Sequence, residues 1–493
     1  MKHLKRRCLA IGLALLLAAG PAAHASEALG HEIHNGTMEL SQGTGLTKQI
    51  FWSDTYSDLR TERYFTYSPS LNVSPTVAYG DKVLSRATLT SMAETLEAQG
   101  KRVVAGVNGD YYVMATGTPV GLVVTDGVIR SASPFNYAIG FREDGTAFIG
   151  QPNIAVTATF RGQTFAVNGS INKARGTERG DYLLTEDFHA TTQNTSPGVD
   201  VILTPVLDNV GQTVNVDLDV TDMPDAASES GPGMEPEDAA DSADLTEEIT
   251  TGGGTVVDEV KGAQVQSAQL KIGGRVTCTV DQVLESTGSI PIPAGKMVLT
   301  INAKSDAALV AALRALQPGD TVDIDVTAAD SRWVEAEQAL GGLYHLVSNG
   351  TVLSAPSGSA SAWSERTART AVGIGSVIFY TIDGKQAGYS VGATLTQVAM
   401  RLVELGCVEA ICLDGGGSTT AGATYPDGTV MQVINKPSDG AQRANSTAIF
   451  LTTQLQPTGE LSHFLLNPAD AMVLAGSTIQ MSAKAVDSAY YAM

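Results

Sequence analysis

A carboxylate followed by glycines is the feature of this sequence best suited to chemistry. Asp414 comes directly after the apolar run from Val408 to Leu413 and directly before Gly415, Gly416 and Gly417. Consecutive glycines allow backbone N–H groups to converge on a phosphate or oxyanion at the end of a strand. A tight turn, with Asp414 capping the next segment and glycines at positive φ, explains the same residues. Both interpretations stay open.

A second carboxylate lies in the segment Asn108-Gly109-Asp110-Tyr111-Tyr112, which follows the apolar run 103–107. As at Asp414, a predicted strand ends in a turn with polar and carboxylate groups. Asn-Gly pairs are also common in purely structural turns. Tyr111 and Tyr112 add aromatic side chains directly after this carboxylate.

Two arginines precede apolar runs. Arg369 comes shortly before the β-branched run from Ala371 to Tyr380, and Arg443, with Asn445, precedes the last such run of the region. A guanidinium in such a place either binds an anion or forms an ion pair with a neighbouring carboxylate. Together, the four segments place polar groups at the ends of four apolar strands.

Several common catalytic signatures are absent from the sequence. It contains no P-loop, no dinucleotide-binding fingerprint, no G-x-S-x-G elbow and no H-E-x-x-H motif. Its histidines lack metal-ligand spacing, apart from His31 and His34, which we assign to a mobile tail. We therefore expect no metal ion and no cofactor, and we expect acid–base or nucleophilic work to be done by carboxylates.

The elements that must position these residues are mostly strands. Apolar and β-branched runs recur from Val73 to Leu451 and are separated by Asp-Gly and Asn-Gly turns. Helical spacing predicts one helix over 88–99 and another that is capped by Thr394 and ended by Gly406. The sequence thus predicts an α+β fold: mixed β-sheets with a few helices packed on them and an active-site cleft at the strand ends.

Residues 1–25 have the features of a cleavable secretory signal. A basic start is followed by an apolar run of 11 residues and by the small-residue exit Ala23-His24-Ala25. That run is too short to cross a bilayer, which takes about 20 residues, and no later stretch is long enough. We therefore expect a secreted or cell-surface protein without a membrane span.

The rest of the chain divides into segments of different composition. Residues 26–85 are a β-rich lead-in, and 86–453 form the main domain. Within it, 221–250 hold ten acidic residues and no basic ones, which predicts a disordered insertion. Residues 461–493 alternate like the first strands of an immunoglobulin-like β-sandwich. Since a whole sandwich takes about 100 residues, they suggest a fragment of one.

The net charge of the chain limits the kinds of partner it can bind. The net charge is −21, and without residues 1–25 there are 27 basic residues against 52 acidic ones, a charge of −25. This balance argues against nucleic acid as a partner, and an anionic substrate must be held by local arginines or lysines.

The three cysteines beyond residue 25 show no metal spacing and cannot all pair, so no disulfide framework is expected.

Seven segments, in their order along residues 86–453, together resemble the phosphodiester glycosidase family. They are VVAGVNGDYY (103–112), PVGLVVTDGVI (119–129), LGGLYHLVSNG (340–350), RTAVGI (369–374), YSVGATL (389–395), CLDGGGSTT (412–420) and RANSTAI (443–449). Where members of the family often have G-G-x-P-x-L-V, this chain has Tyr344-His345 and no proline.

The resemblance implies hydrolysis between an anomeric carbon and a phosphodiester oxygen. Because an ionised phosphate already leaves readily, the site needs an anion clamp and a carboxylate more than a strong acid. We expect Arg369 and Arg443 to bind the phosphate together with the N–H groups of Gly415 to Gly417. Asp414 or Asp110 is then the base or nucleophile. The residues expected to orient a glycan or sugar-phosphate substrate are Asn108, Ser418, Thr419 and Asn445. Tyr111 either stacks on the sugar ring or packs at the end of its strand.

Two other functions fit the same residues. The sandwich-like tail is compatible with a non-catalytic surface or glycan-binding protein. The scaffold also fits an enzyme that acts on a different phosphodiester in exopolysaccharide or cell-wall metabolism. Release of a sugar separates the enzymes from the binding protein, and the mass of the product separates the two enzymes.

Overall fold

The structure is a computed structural model that describes residues 25–69, 72–133, 137–167, 171–206, 213–214, 264–265 and 269–493. All but the last residue of the predicted signal, and the whole acidic insertion 221–250, lie outside the described residues. The described part consists mainly of antiparallel strands, with four α-helices. The prediction of several sheets with a few helices is confirmed in this coarse form.

The largest sheet has nine strands and contains Arg369 as well as the strand that precedes Asp414. Its strands are β1 (Ala25–Ser26), β2 (Gly30–Ser41), β3 (Thr44–Ser53), β4 (Asp58–Tyr67), β23 (Tyr344–Ser348), β24 (Thr351–Val352), β25 (Arg369–Ile374), β26 (Val377–Ile382) and β27 (Glu409–Cys412). They are ordered β1-β2-β3-β4-β26-β25-β27-β23-β24. His31 and His34 lie within β2 and pair with β3, so their assignment to a mobile tail is wrong.

A five-stranded sheet contains the strand that ends at Asn108. Its strands are β5 (Ser74–Tyr79), β6 (Arg102–Asn108), β28 (Ala421–Ala423), β29 (Gln432–Val433) and β30 (Thr447–Thr453). They are ordered β29-β28-β6-β30-β5. The predicted helix, α1 (Leu89–Ala98), is confirmed. It begins after Thr88, whose side chain accepts a hydrogen bond from the Ser91 N–H, and its apolar face packs on this sheet.

A second five-stranded sheet follows the Asp110 segment. It contains β9 (Val123–Thr125), β10 (Val128–Ser131), β11 (Tyr137–Phe141), β12 (Ala147–Gly150) and β22 (Gln338–Gly342), in the order β10-β9-β22-β11-β12. Two short strands, β7 (Tyr112–Val113) and β8 (Thr118–Pro119), pair before it. At the predicted hairpin turn, Asp126 and Gly127 have φ of 51° and 71°. Positive φ at both positions is the requirement of a type I′ turn.

A seven-stranded sheet forms the middle of the chain. Its strands are β13 (Ala155–Phe160), β14 (Gln163–Val167), β15 (Asp181–Thr185), β16 (Gly198–Pro205), β19 (Gly274–Ser286), β20 (Met297–Asn302) and β21 (Thr321–Thr327), ordered β14-β13-β21-β19-β16-β20-β15. The helix α2 (Ala307–Arg314) packs on it. The pair β17 (Thr213–Val214) and β18 (Gln264–Val265) completes the strands of this region.

The nine-stranded sheet is covered on both faces. On one face Phe379 and Ile411 share an apolar core with Val107 and Ile449 of the first five-stranded sheet. On the other face lie α3 (Ala360–Ser364) and α4 (Leu395–Glu404), together with Tyr380. Thr394 caps α4 in a capping box, as its sequence predicts. Each fully buried aliphatic or aromatic side chain stabilises the folded state by about 1.5–3 kcal/mol, so this shared core stabilises the packing of the two sheets.

The C-terminal hairpin comprises β31 (Leu461–Asn467), β32 (Ser482–Asp487) and the segment that joins them. The two strands form a sheet of their own, and several large apolar side chains here, such as Phe464 and Leu474, are exposed. The immunoglobulin-like assignment of this region stays a prediction. None of the helices in the described ranges combines the length and apolar character that a membrane crossing requires.

Candidate active site

The four strand ends identified from the sequence come together in the structure. β6 and β30 are neighbours in one sheet, and β25 and β27 are neighbours in another. Asn108 links the two sheets: its Nδ2 donates to the carbonyl oxygen of Asp414 at 2.7 Å. Its Oδ1 accepts hydrogen bonds from the Thr370 hydroxyl at 2.7 Å and from the Thr420 N–H at 3.1 Å. The Asn108 amide therefore fixes the start of the segment 414–420 (the glycine loop).

Gly109 allows the backbones to approach closely at this junction. Its N–H donates to the Thr447 carbonyl at 2.9 Å, and its own carbonyl accepts from the Asp414 N–H at 3.0 Å. A Cβ at this position would lie 2.3 Å from the Thr447 hydroxyl and 2.8 Å from the Thr447 backbone. The glycine is therefore needed for close approach, a role that differs from the turn predicted for the Asn-Gly pair.

Asp414, the first residue of the glycine loop, is a buried carboxylate with a relative exposure of 8%. Burial raises its pKa to about 6, although hydrogen bonds from Ser418 and the Gly415 N–H, and the positive charges of Arg443 and Arg369, favour the ionised form. A carboxyl group whose pKa lies near neutrality can exchange a proton during a reaction at physiological pH.

Asp110 is more enclosed than Asp414. Its Oδ1 accepts from the Tyr111 N–H at 2.8 Å and its Oδ2 from the Gly121 N–H at 2.7 Å. A Cβ on Gly121 or Gly341 would lie within 2.5 Å of Oδ2, so backbone covers the carboxylate. Burial raises its pKa to about 7, with the half-buried Lys173 as its nearby cation. These contacts position the loop before β9, whereas Asp414 is better placed to meet a substrate.

The glycine loop offers fewer free N–H groups than its sequence suggests. The Gly416 N–H donates to the Ala368 carbonyl at 2.8 Å, and the Gly415 N–H donates to the Asp414 carboxylate. Of the three predicted phosphate-binding N–H groups, those of Gly415 and Gly416 thus have partners within the protein. A Cβ on Gly417 would lie 2.0 Å from Nη2 of Arg443 and 2.3 Å from Oδ1 of Asp439, so the ion pair of Arg443 and Asp439 covers the loop.

The two candidate arginines lie at different depths. Arg369 is fully buried, and its Nη2 donates to the carbonyls of Glu365 at 2.7 Å and Ala362 at 3.0 Å. Arg443 is 30% exposed, pairs with Asp439 at 2.8 Å and lies 3.4 Å from the Ser418 hydroxyl through Nη1. The exposed guanidinium can reach a substrate from solvent, and the buried one adds positive charge beneath it.

Unpartnered polar atoms are concentrated around the glycine loop. Among the described residues, twelve buried side-chain nitrogen and oxygen atoms have no hydrogen-bond partner, and five of them lie in 365–369 and 445–446. They are Glu365 Oε2, Thr367 Oγ1, Arg369 Nη1, Asn445 Oδ1 and Ser446 Oγ. Because buried polar groups are normally hydrogen-bonded, this concentration indicates where atoms of a ligand or water bind.

Glu365 and Thr367 are site residues that the sequence reasoning missed. The Thr367 hydroxyl lies 3.9 Å from the position that a Cβ of Gly416 would take, and no other atom lies within 4 Å of that position. Thr367 is itself buried and its hydroxyl has no hydrogen-bond partner among the described residues, so this hydroxyl lies beside the loop as an unsatisfied polar group. One feature of the sequence could have pointed to them, because both lie within four residues of Arg369, at the start of a strand.

Other predicted residues have structural contacts. The Tyr111 ring is buried and its hydroxyl lies 3.7 Å from Cys412 Sγ, which favours the packed alternative over sugar stacking. Thr419 accepts from the Thr370 hydroxyl at 3.3 Å, and the Asn445 Nδ2 donates to the Ser418 carbonyl at 3.3 Å. The last two contacts hold the glycine loop in place and leave the Asn445 oxygen free.

Two cavities among the described residues lie elsewhere. One is lined by residues of β2, β3 and α4, and the other by the C-terminal hairpin and the nine-stranded sheet. The predicted cleft at the strand ends therefore stays a prediction. Within the described ranges, no three His, Cys, Asp or Glu side chains lie close enough together to hold a metal ion.

Two solved structures have a fold similar to that of this chain. A hypothetical protein from Synechocystis superposes with a TM-score of 0.59 at 15% identity, over 85% of this chain and 64% of that one. A protein from Burkholderia pseudomallei superposes with a TM-score of 0.52 at 16% identity, over 80% of this chain and 74% of that one. The chain thus shares its fold with both, and it spans less than two thirds of the Synechocystis protein.

The sequence itself is similar to one family over part of its length. Residues 248–452 match the family model described as phosphodiester glycosidase, so the predicted resemblance is confirmed over this part of the chain. The match contains Arg369, Asp414, Arg443 and Asn445, whereas Asn108 and Asp110 precede it.

Two further comparisons add nothing to this assignment. The zebrafish N-acetylglucosamine-1-phosphodiester alpha-N-acetylglucosaminidase catalytic domain, auto-inhibited by its pro-peptide, has 14% identity and a TM-score of 0.37, over 85% of this chain and 88% of that one. No sequence of a curated protein matches the chain.

Proposed function

We propose that the protein is a hydrolase that cleaves sugars from phosphodiesters, releasing the sugar and leaving a phosphomonoester. The family match over 248–452 supports the reaction class. The observation that carries the proposal for this chain is the position of Asp414. Its buried carboxylate accepts a hydrogen bond from Ser418 and lies in the field of two arginines, Arg369 and Arg443.

The substrate phosphate binds over the glycine loop, on the Arg443 side. Arg443 is partly exposed, contacts Ser418 and lies against Gly417. A guanidinium binds phosphate oxygens through two parallel N–H donors. Arg443 already pairs with Asp439, so an incoming phosphate competes with that carboxylate. The unpartnered Nη1 of Arg369 supplies a second positive group in the buried wall.

Asp414 is the group that acts on the reacting carbon. In the hydrolysis, the bond between the anomeric carbon and the phosphate oxygen breaks, and its electrons stay on the phosphate. The oxygen of a water molecule forms the new bond to the anomeric carbon. With a pKa of about 6, Asp414 is mostly ionised at pH 7. It either takes the proton of that water or stabilises the positive charge that develops on the sugar.

Export of the enzyme is a further part of the proposal. The basic start, short apolar run and small-residue exit of residues 1–25 support cleavage after Ala25 and action outside the cytoplasm. Phosphodiester-linked glycans of walls, envelopes or capsules are accessible there. Peptide mapping of the protein purified from the culture medium of its own host tests this part, since the mature chain should begin at Ser26.

The activity is tested with methyl phosphodiesters of hexose 1-phosphates in both anomeric forms. Mass spectrometry of the products should show a free hexose and methyl phosphate. Asp414→Asn should lower the rate by at least about a hundredfold, because a positioned carboxylate contributes about 10²–10⁴-fold to catalysis. Asp320→Asn is the matched control, since Asp320 pairs with Arg161 in an exposed position. Equal rates in Asp414→Asn and wild type would overturn the assignment.

A further inference from the structure

A cavity of about 450 Å³ lies between the C-terminal hairpin and the nine-stranded sheet. Its walls come from β2, β3 and β4, from the segment 425–434 and from residues 465–470 of the hairpin. Ligand pockets in proteins typically have volumes of about 300–1,000 Å³. No residue of the glycine loop lines this cavity, so it is a place separate from the candidate active site.

Ion pairs hold the hairpin over the cavity. Lys48 of β3 pairs with Asp470 at 2.6 Å, and His34 also contacts this carboxylate. Lys484 of β32 pairs with Asp427 at 2.8 Å. The side chain of Asp470 occupies the space where Gly36 lacks a Cβ, at 2.8 Å from that position. The hairpin therefore forms a fixed wall of the cavity.

The charged residues that line the cavity are all paired. Besides Lys48 with Asp470 and Lys484 with Asp427, Arg63 donates to Asp383 at 2.9 Å. Their charges are thus compensated within the protein. An anionic or cationic ligand would have to displace one of these partners, so the lining favours a neutral ligand.

Neutral hydrogen-bonding groups in the lining remain available. The side chains of Thr37, Gln432 and Asn467 make no hydrogen bond to the described residues, and each lines the cavity. The Tyr425 ring and the Met38 side chain supply apolar surface beside them. An aromatic ring next to uncharged donors and acceptors matches the two faces of a pyranose ring, which has apolar C–H groups and hydroxyls.

We propose that this cavity binds a neutral sugar unit of a glycan, apart from the site of hydrolysis. A polar chain links the two places: Asp383, the partner of Arg63, accepts from the Asn435 Nδ2 at 2.9 Å. The same Nδ2 donates to the Thr419 carbonyl of the glycine loop at 3.0 Å. The cavity would retain a glycan chain near the enzyme, and its binding does not depend on the hydrolytic assignment.

Binding is measured by saturation-transfer NMR with glucose, galactose and N-acetylglucosamine, and with glucose 1-phosphate as the charged comparison. Wild-type protein should transfer saturation to at least one neutral sugar. The triple variant Thr37→Ala, Gln432→Ala, Asn467→Ala should bind it at least about tenfold more weakly, since it lacks three groups that can hydrogen-bond to the sugar. Gln454→Ala, at an exposed glutamine outside the cavity, is the matched control and should bind as wild type does.

The outcomes separate this proposal from the hydrolase assignment. Binding that persists in Asp414→Asn but is lost in the triple variant supports the cavity site, whether or not any sugar phosphodiester is cleaved. The proposal is overturned if no neutral sugar receives saturation, if the triple variant binds as wild type does, or if only Asp414→Asn loses binding. If the triple variant does not fold, Gln432→Ala alone replaces it, because this side chain is exposed. An unchanged affinity in that variant likewise counts against the cavity.

Discussion

The Nδ2 of Asn108 donates a hydrogen bond of 2.7 Å to the carbonyl oxygen of Asp414, across 306 residues of sequence. The contact joins the end of a strand in one sheet to the exit of a strand in another. It explains why two segments with similar turn sequences belong to one site: each places a polar group at a strand end, and the packed sheets bring those ends together.

Replacing Asn108 by alanine should destabilise the protein and displace the glycine loop. The substitution leaves the Thr420 N–H and the Asp414 carbonyl without their partner. The Thr370 hydroxyl loses its shorter hydrogen bond and keeps the longer one to Thr419. Each buried group left unsatisfied costs about 1–3 kcal/mol. The free energy of unfolding is measured by denaturant titration. Asn72→Ala, at a position where the amide bonds to Gln42 at the surface, should change it by less than about 0.5 kcal/mol.

Gly109→Ala should also destabilise the protein, for a steric reason. The new methyl group would meet the Thr447 hydroxyl at 2.3 Å and the Thr447 backbone at 2.8 Å, and overpacking of this kind costs about 1–3 kcal/mol. Gly176→Ala is the control, because no atom lies within 4 Å of a Cβ there and its φ is not positive. If both variants melt at the wild-type temperature, the backbones at the junction can separate without cost.

Local patterns in the sequence were sufficient to predict two of the four α-helices of the described residues and many of the strands. Helical spacing identified α1 and, together with the capping Thr394, α4, and the Asp-Gly turn at 126–127 identified a hairpin. The apolar run 371–380 contains two strands, β25 and β26, which Gly375 separates with a φ of 119°. Because the residues on both sides of this turn are of similar types, the sequence pattern does not show that the chain reverses its direction here.

The candidate site was only partly predictable. Its strand-end residues were identifiable because polar groups follow or precede apolar runs. Which of them face a substrate depends on tertiary contacts: Gly121 and Gly341 enclose Asp110, although neither is near it in sequence. The unpartnered Glu365 and Thr367 atoms likewise depend on how α3 and β25 meet, which no local pattern determines.

Arg443→Ala should weaken the use of substrate without unfolding the protein. Arg443 is 30% exposed, and its ion pair and hydrogen bonds join it to Asp439, Ser418 and Met114. Loss of one charge-assisted phosphate contact costs about 1.5–3 kcal/mol, or about ten- to a hundredfold in kcat/KM. Steady-state kinetics and the melting temperature are measured together. Arg161→Ala, in an exposed pair with Asp320, should change neither kcat/KM nor the melting temperature. An unchanged kcat/KM in Arg443→Ala would show that this arginine does not bind the substrate phosphate.

The pH dependence of stability should report the burial of Asp110. Its pKa is about 7 in the folded protein and about 3.9 in an unfolded chain, so the folded state binds the proton more tightly. The stabilisation from this proton is complete below about pH 4 and is lost as the pH rises to about 7. Asp110→Asn removes the titration. Wild type should therefore lose stability relative to the variant over this range, as measured by denaturant titration at each pH, and a constant difference would contradict a raised pKa.

The pH dependence of the reaction should report the ionisation of Asp414. If its carboxylate acts in the ionised form, kcat/KM should fall as the pH drops below about 6, because protonation removes the reactive species. Arg443 lowers the pKa of Asp414 by its positive charge. In Arg443→Ala the remaining activity should therefore fall off at a higher pH than in wild type. The profiles are measured with a hexose 1-phosphate methyl diester, and the Arg161→Ala profile should coincide with that of wild type. If the acid limb stays in place in Arg443→Ala, that limb belongs to a group other than Asp414.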